Sequence, residues 1–262
     1  MNNSQNLKPE MLRSPELVSL ILLVLFVLLI LFFAKWIKED RMFASLRPIA
    51  AFDSIKLLMA QAIEEGKSLH LSLGSGSVTD ATTAETLAGL TVLEHLSLQS
   101  AAAETSPVVT MADPATMLMA QNTLRKAYGN NSRGALEAAA RVQWISPQPA
   151  AYAAGVMGVL ALDDVSGNVM LGHFGDEYLL MGESAHKQDP PIATVAGAGS
   201  PQVLPYVLAT SPKALWGEEI FAAGAYLSKK PMHIGSLLAQ DTVRWGAGLF
   251  ILGSVLLKAF GL

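Results

Sequence analysis

Leu17 to Ala34 (LVSLILLVLFVLLILFFA) runs for 18 residues without a charge and with a single serine. Extended by Trp36 and Ile37, this stretch makes a helix of roughly 30 Å, the thickness of a bilayer's hydrocarbon core. Ser14-Pro15-Glu16 ahead of it supplies an N-cap, a proline at the first helical position and an acid in the first turn. The run is too long for a secretory signal, and Lys35-Trp36-Ile37-Lys38 stands where small residues would precede a cleavage site. The pattern predicts a transmembrane helix over 17–38, behind a short extracytoplasmic tail, 1–16. A second apolar segment, Trp245 to Leu262, is shorter, carries glycines and has Lys258 near its end, where a lysine snorkels to the interface. It predicts a second span over 245–262, set against a buried or interfacial helix.

Between the two, over 42–240, β-rich runs alternate with helical ones. Leu69 to Leu73 alternates as a strand does and ends in Gly74-Ser75-Gly76-Ser77. Thr79, Asp80, Thr82 and Thr83 then offer caps for a helix reaching about Leu98. Further strands are expected at Pro107–Met111, Val142–Ile145, Asn168–Phe174 and Pro191–Ala196, and helices from Pro114 to about Tyr128 and from Pro147 to Leu162. Glu177 to His186 fits a strand or a helix equally. Strands alternating with helices predict an α/β domain with a mainly parallel, Rossmann-like sheet, flanked by the two transmembrane helices.

The domain reads as duplicated. Leu118–Arg125 (LMAQNTLR) and Leu237–Arg244 (LLAQDTVR) share five of eight residues. Asp53–Gly76 can be laid on Asp176–Gly199, with a leading Asp, Leu-Leu-Met and a β-run ending in Gly-x-Gly in common. Glu85–Leu93 resembles Glu219–Leu227. These anchors set repeat 1 at about 51–130 and repeat 2 at about 174–244, with the last helix of repeat 2 running from Ile234 into the membrane. Repeat 1 ends instead in a turn at Tyr128 to Asn131.

Composition narrows the chemistry. The chain has 262 residues, 51% of them hydrophobic, and only 15% charged against about 25% in an ordinary globular domain. The net charge is −4 and no basic run appears, so nucleic acid is not an expected partner. The absence of cysteine removes disulfides, thiolate catalysis and cysteine-bound metals. Lys35, Lys38, Arg41, Arg47, Lys56, Lys229, Lys230 and Arg244 flank the central domain, against Lys8, Arg13 and Lys258 on the other side. That bias places the domain in the cytoplasm and both termini outside.

Candidate sites are few. Gly74-Ser75-Gly76-Ser77 and Gly197-Ala198-Gly199-Ser200 each follow a strand, where glycines let backbone amides approach a phosphate at a helix N-terminus. A small anionic ligand would bind Gly74, Ser75, Gly76, Ser77 and Thr79 in one loop and Gly197, Gly199 and Ser200 in the other, with Asp113 accepting from a ribose hydroxyl. The bland reading is two tight turns, and for Asp113 a cap on the helix at Pro114. The third glycine of a dinucleotide fingerprint is missing, since Thr79 and Gln202 stand there, and no Walker lysine follows. Asp176, Glu177, Glu183, Glu218, Glu219 and Asp241, with His173 and His186, form an acidic stretch that could hold a metal or serve as acid and base. At Glu218 and Glu219, capping of a helix start is the simpler role. His70, alternating with apolar residues, reads as a hydrogen-bonded core residue. No nucleophile elbow, HExxH or paired zinc spacing is present, so no catalytic residue, metal or cofactor is assigned.

The runs HLSLGSGS (70–77), TLAGL (86–90), AQNTLRKAY (120–128), GEEIFAAGAYL (217–227) and AQDTVR (239–244) resemble a family of uncharacterised bacterial membrane proteins known only as a domain of unknown function. The similarity covers about 40–245. It implies a membrane-tethered protein of unknown function and no transferable activity; the expected location is the bacterial inner membrane. Two function classes are expected. The first is a structural or assembly component that self-associates at the bilayer through Ala/Gly-rich helices (Ala135–Ala140, Ala150–Leu162, Ala222–Tyr226). The second is a small-anion or nucleotide-binding enzyme or sensor built on the paired glycine loops.

Overall fold

The computed structural model describes residues 15–39, 46–103, 105–129 and 131–259. Lys8, Arg13, Ser14, Arg41 and Asn130, which entered the reading above, lie outside them, as do residues 260–262. The chain divides into a helical unit, Met1–Leu46 with Lys229–Leu262, and an α/β unit, Arg47–Ser228.

Among the described residues the strands of the α/β unit form one six-stranded sheet. They are β1 (Ser68–Gly74), β2 (Val108–Met111), β3 (Val142–Trp144), β4 (Val165–His173), β5 (Ala193–Ala198) and β6 (Lys213–Trp216). Every pairing is parallel and the order is β3-β2-β1-β4-β5-β6. The chain therefore winds outward from β1, returns to the centre as β4 and winds outward again, the doubly wound order of a Rossmann-like sheet.

Parallel strands are connected through helices, which cover both faces of the sheet. Helices α2 (Ala50–Glu65), α3 (Thr83–Ala102) and α4 (Pro114–Tyr128) pack as one layer; α5 (Ser132–Ala140) joins α4 and β3. Helices α6 (Pro149–Leu162), α7 (Tyr178–His186) and α8 (Leu204–Thr210) form the other. Under α6–α8, Tyr152, Val156, Phe174, Tyr178, Met181 and Val207 pack with Met170, Ala196 and Ala198 of the sheet. On β1 the alternation seen in sequence is real, but both faces are buried: Leu69, Leu71 and Leu73 on one side, His70 and Ser72 on the other.

The expected strands stand as β1–β5, with ends moved by up to three residues. The ambiguous stretch Glu177–His186 holds helix α7, because Tyr178, Met181, Gly182 and Ala185 are buried at helical spacing. Strand β6 and helix α8 have no counterpart in the sequence reading. The repeat LMAQNTLR lies on α4 and LLAQDTVR on α9 (Pro231–Ala259), and the matching alanines Ala120 and Ala239 are both fully buried. The segments resembling each other at 85–93 and 219–227 take different places in the order. The first is on α3 between β1 and β2. The second follows β6 in a 3₁₀ turn (Gly217–Ala222) and a π turn (Gly224–Ser228).

In the helical unit, α1 (Pro15–Lys38) and α9 are long and apolar enough to cross a membrane. Helix α9 starts well before the second apolar segment and runs through it without a break. The two pack where α1 is buried at Ala34 and α9 at Gly235 and Ala239. A Cβ on Gly235 would stand 2.8 Å from Ala34 N and 3.1 Å from Ile30 O, so only glycine admits this approach. Elsewhere the helices expose leucine, valine, isoleucine and phenylalanine, a surface suited to lipid.

Candidate functional site at the sheet reversal

Doubly wound sheets take ligands beyond the carboxyl ends of their strands, where the winding reverses. Here that place lies between β1 and β4. Gly74 closes β1 opposite His173 of β4, with φ +81°, and a Cβ there would sit 2.0 Å from His173 O. Gly172 answers it: its Cβ would sit 2.0 Å from Leu73 O. The central strands thus interlock through reciprocal glycines.

The loop after β1 is held by its own chain. Ser75 N donates to His173 O at 2.8 Å, and Ser75 Oγ donates to Glu177 Oε1 at 3.0 Å. Glu177, 7% exposed, also accepts from Gly175 N at 2.9 Å. Ser77 N donates to Thr82 Oγ1 at 2.9 Å, and Thr79 N to Ser77 Oγ at 3.1 Å. Asp80 accepts from Thr82 N at 2.7 Å and from the Thr82 hydroxyl, which, followed by that amide, holds its carboxyl below the usual range. A Cβ at Gly76 would meet Thr86 Oγ1 at 2.7 Å and His173 Cβ at 2.8 Å. The missing side chains of this loop make room for the protein itself.

Glu85, in the first turn of α3, pairs with His173 Nδ1. Its other carboxylate oxygen lies 2.2 Å from where a Cβ on Gly199 would be. Glu85 thereby joins the β1 loop, the β4 end and the β5 loop. Three carboxylates, Asp80, Glu85 and Glu177, belong to this loop, to the start of α3 and to the segment bonded to the loop, and Coulomb repulsion disfavours an anion beside them. Helix α3 still packs tightly on the sheet, and the glycine that allows it is Gly89, whose Cβ would be 2.4 Å from Leu171 O. The close helix–strand contact given by a fingerprint's third glycine is met ten residues after Thr79, within α3.

The other sequence candidates fall as follows. Gly197 is covered by Leu215, Leu171 and Ile220. Ser200 Oγ donates to Gln202 Oε1 at 2.6 Å. Asp113 caps α4, accepting from Thr116 N at 2.7 Å and Thr116 Oγ1 at 2.9 Å; beside it Ala112 N donates to Gly74 O. The β1 loop bonds to 173–177, and Gly199 of the other loop lies against Glu85. The acidic stretch disperses: Glu183 pairs with Lys187, Glu219 accepts from Trp216 N and pairs with Arg47, and Asp241 lies in the helical unit. Among the described residues no three His, Asp or Glu gather to hold a metal. Glu85 as a partner of His173 went unseen, because 88 residues separate them and neither sits in a spaced motif.

The family model described as "Domain of unknown function (DUF6754)" matches residues 7–262, a wider span than the motifs at 40–245 marked out. No curated protein and no solved structure matches the chain.

Proposed function

We propose, for a chain that belongs to this DUF6754 family, that it is a membrane-anchored assembly component which associates with copies of itself. The observation that carries the reading is an apolar surface on α3–α5. Leu87, Leu98, Leu118, Met119 and Leu136 are all exposed there, the last at 66%, on a unit whose core is already complete. Leu87, Leu98 and Met119 rim a groove of about 590 Å³ between α3 and α4. Such surface on a folded unit favours association, and two membrane anchors confine neighbours to a plane and raise their effective concentration. The charge bias supports a cytoplasmic unit with both termini outside, which fits a protein of a bacterial inner membrane. Native mass measurement of the full chain in detergent and in lipid discs tests the reading. Oligomers are expected, and a monomer in both would overturn it.

A second reading, a small-anion or nucleotide-binding enzyme or sensor, is supported by the position of both glycine loops at strand carboxyl ends. Against it stand the amide donors already used at Ser75, Ser77 and Thr79, and the three carboxylates. Nucleotides and inorganic phosphate are expected to give no thermal shift. A clear, saturable shift would favour this reading instead.

A further inference from the structure

Asp241 and Arg244 form an ion pair at 3.8 Å on α9, and their side chains are 63% and 56% exposed. Their depth follows from α1. Gly235 of α9 lies against Ala34, the last residue of the apolar run of α1, and against Ile30. With 47–228 between them in the chain, two spanning helices cross in opposite chain directions, and both run inward from that contact. Asp241 and Arg244 come six and nine residues after Gly235, about 9 and 14 Å further along the helix. The apolar run of α1 is about 27 Å long. The pair therefore stands between a third and half of the way across the hydrocarbon, deeper than a span beginning at Trp245 puts it. Arg244 then leaves the cytoplasmic flank, whose basic residues still lead by seven to three. Ionised groups at that depth are costly and mark a partner or a pathway.

Its direction is also fixed. At 100° per residue, Gly235 and Ala239, which face α1, lie at about 0° and 40° around α9, whereas Asp241, Arg244 and Gly248 lie at about 240°, 180° and 220°. The charged face points away from α1. A Cβ on Gly248 would meet nothing within 4 Å, so this face also offers a place of close approach.

We infer that Asp241, Arg244 and Gly248 form an intramembrane interface with α9 of a second copy of this chain. Charge complementarity selects that occupant. One acid and one base a turn apart form a surface complementary to itself about a twofold axis normal to the membrane. Each Asp241 then meets the second copy's Arg244, and the reciprocal pairs replace lipid contact with charge-assisted hydrogen bonds. Glycine at 248 lets the helices come close enough for the pairs to form. The inference rests on the self-association proposed above and locates one of its contacts.

Charge exchange in the full chain, reconstituted in lipid discs or vesicles, tests it. Asp241→Arg and Arg244→Asp each face like charge across the axis, and each is expected to weaken dimerisation at least about tenfold. The double exchange, D241R with R244D, restores complementarity and is expected to recover it. The chain has no cysteine, so Gly248→Cys gives a single thiol; oxidation in native membranes is expected to link two copies, and Ala239→Cys, at the buried contact with α1, is not. A wild-type oligomer indifferent to both single exchanges, with no link through position 248, overturns this interface while leaving self-association standing. A wild-type monomer in lipid overturns both.

Discussion

His70 has no exposed surface, and its ring is held between Asn168 Oδ1 at 2.7 Å and Thr110 Oγ1 at 2.9 Å. The amide oxygen only accepts, so Nδ1 carries the hydrogen and Nε2 accepts from the threonine hydroxyl. Asn168 Nδ2 donates onward to Thr194 Oγ1 at 3.3 Å, and on the other flank Tyr152 Oη meets Ser72 Oγ at 2.6 Å. A polar row thus crosses four strands inside the core, and burial pushes its phenol up to about 12. Burial is also the chief cause that lowers His70 from 6.5 to about 4, against the opposing hydrogen bond to Asn168. Above pH 6.5 the ring is neutral whether the chain is folded or not. Between 6.5 and 4 only the unfolded chain takes the proton, so stability falls with falling pH, by about 3 kcal/mol across that window. Urea unfolding of the full chain in detergent checks this: the drop between pH 7 and pH 5 should be visibly smaller in His70→Gln. Equal slopes in the two proteins would mean that the ring is protonated in the fold.

At the scale of elements, two glycines separate a turn from an interlock. Gly66 ends α2 at φ +65°, its N–H bonded to Ala62 O and Ile63 O, and a Cβ there meets nothing within 4 Å. Gly66→Ala is expected to cost about 1 kcal/mol, the strain of the left-handed backbone alone. Gly74→Ala adds a collision with His173 O to similar strain and is expected to cost about 3 kcal/mol, read as a lower unfolding midpoint. Equal losses at the two positions would show that β1 and β4 part readily at their ends. The same loop shows what the sequence could carry. Gly-x-Gly after an alternating strand marked the turn correctly, and Asp113-Pro114 marked the start of α4, because caps and turns are written within a few residues. Strand β6 (Lys213–Trp216) left no such trace: four residues at a sheet edge, only Leu215 of them buried, have no periodicity to read. Helix α8 is seven residues long and buries Val207 alone. The Glu85–His173 pair depends on β1 and β4 lying side by side, and no local pattern announces that pairing.

At the scale of the whole molecule, the α/β unit brings its two ends together: Tyr226 Oη donates to Arg47 O at 2.6 Å, and Tyr226 stacks on Phe52 at 4.8 Å. Ala150 is exposed at the start of α6 and the chain has no native thiol, so Ala150→Cys reports which side the unit occupies. An impermeant maleimide should label it in inverted vesicles and leave it untouched in intact cells; labelling from outside the cell would reverse the assignment. The central pairing of the sheet has a further consequence, in time. β1 waits for β4, and His70 for Asn168 98 residues later in the chain. At about 5–20 residues per second, a ribosome needs about 5–20 s to supply that stretch. Throughout it, β1 carries an open edge and α1 has already been made. With the anchoring proposed above, the half-built sheet spends its most adhesive seconds tethered at the membrane surface.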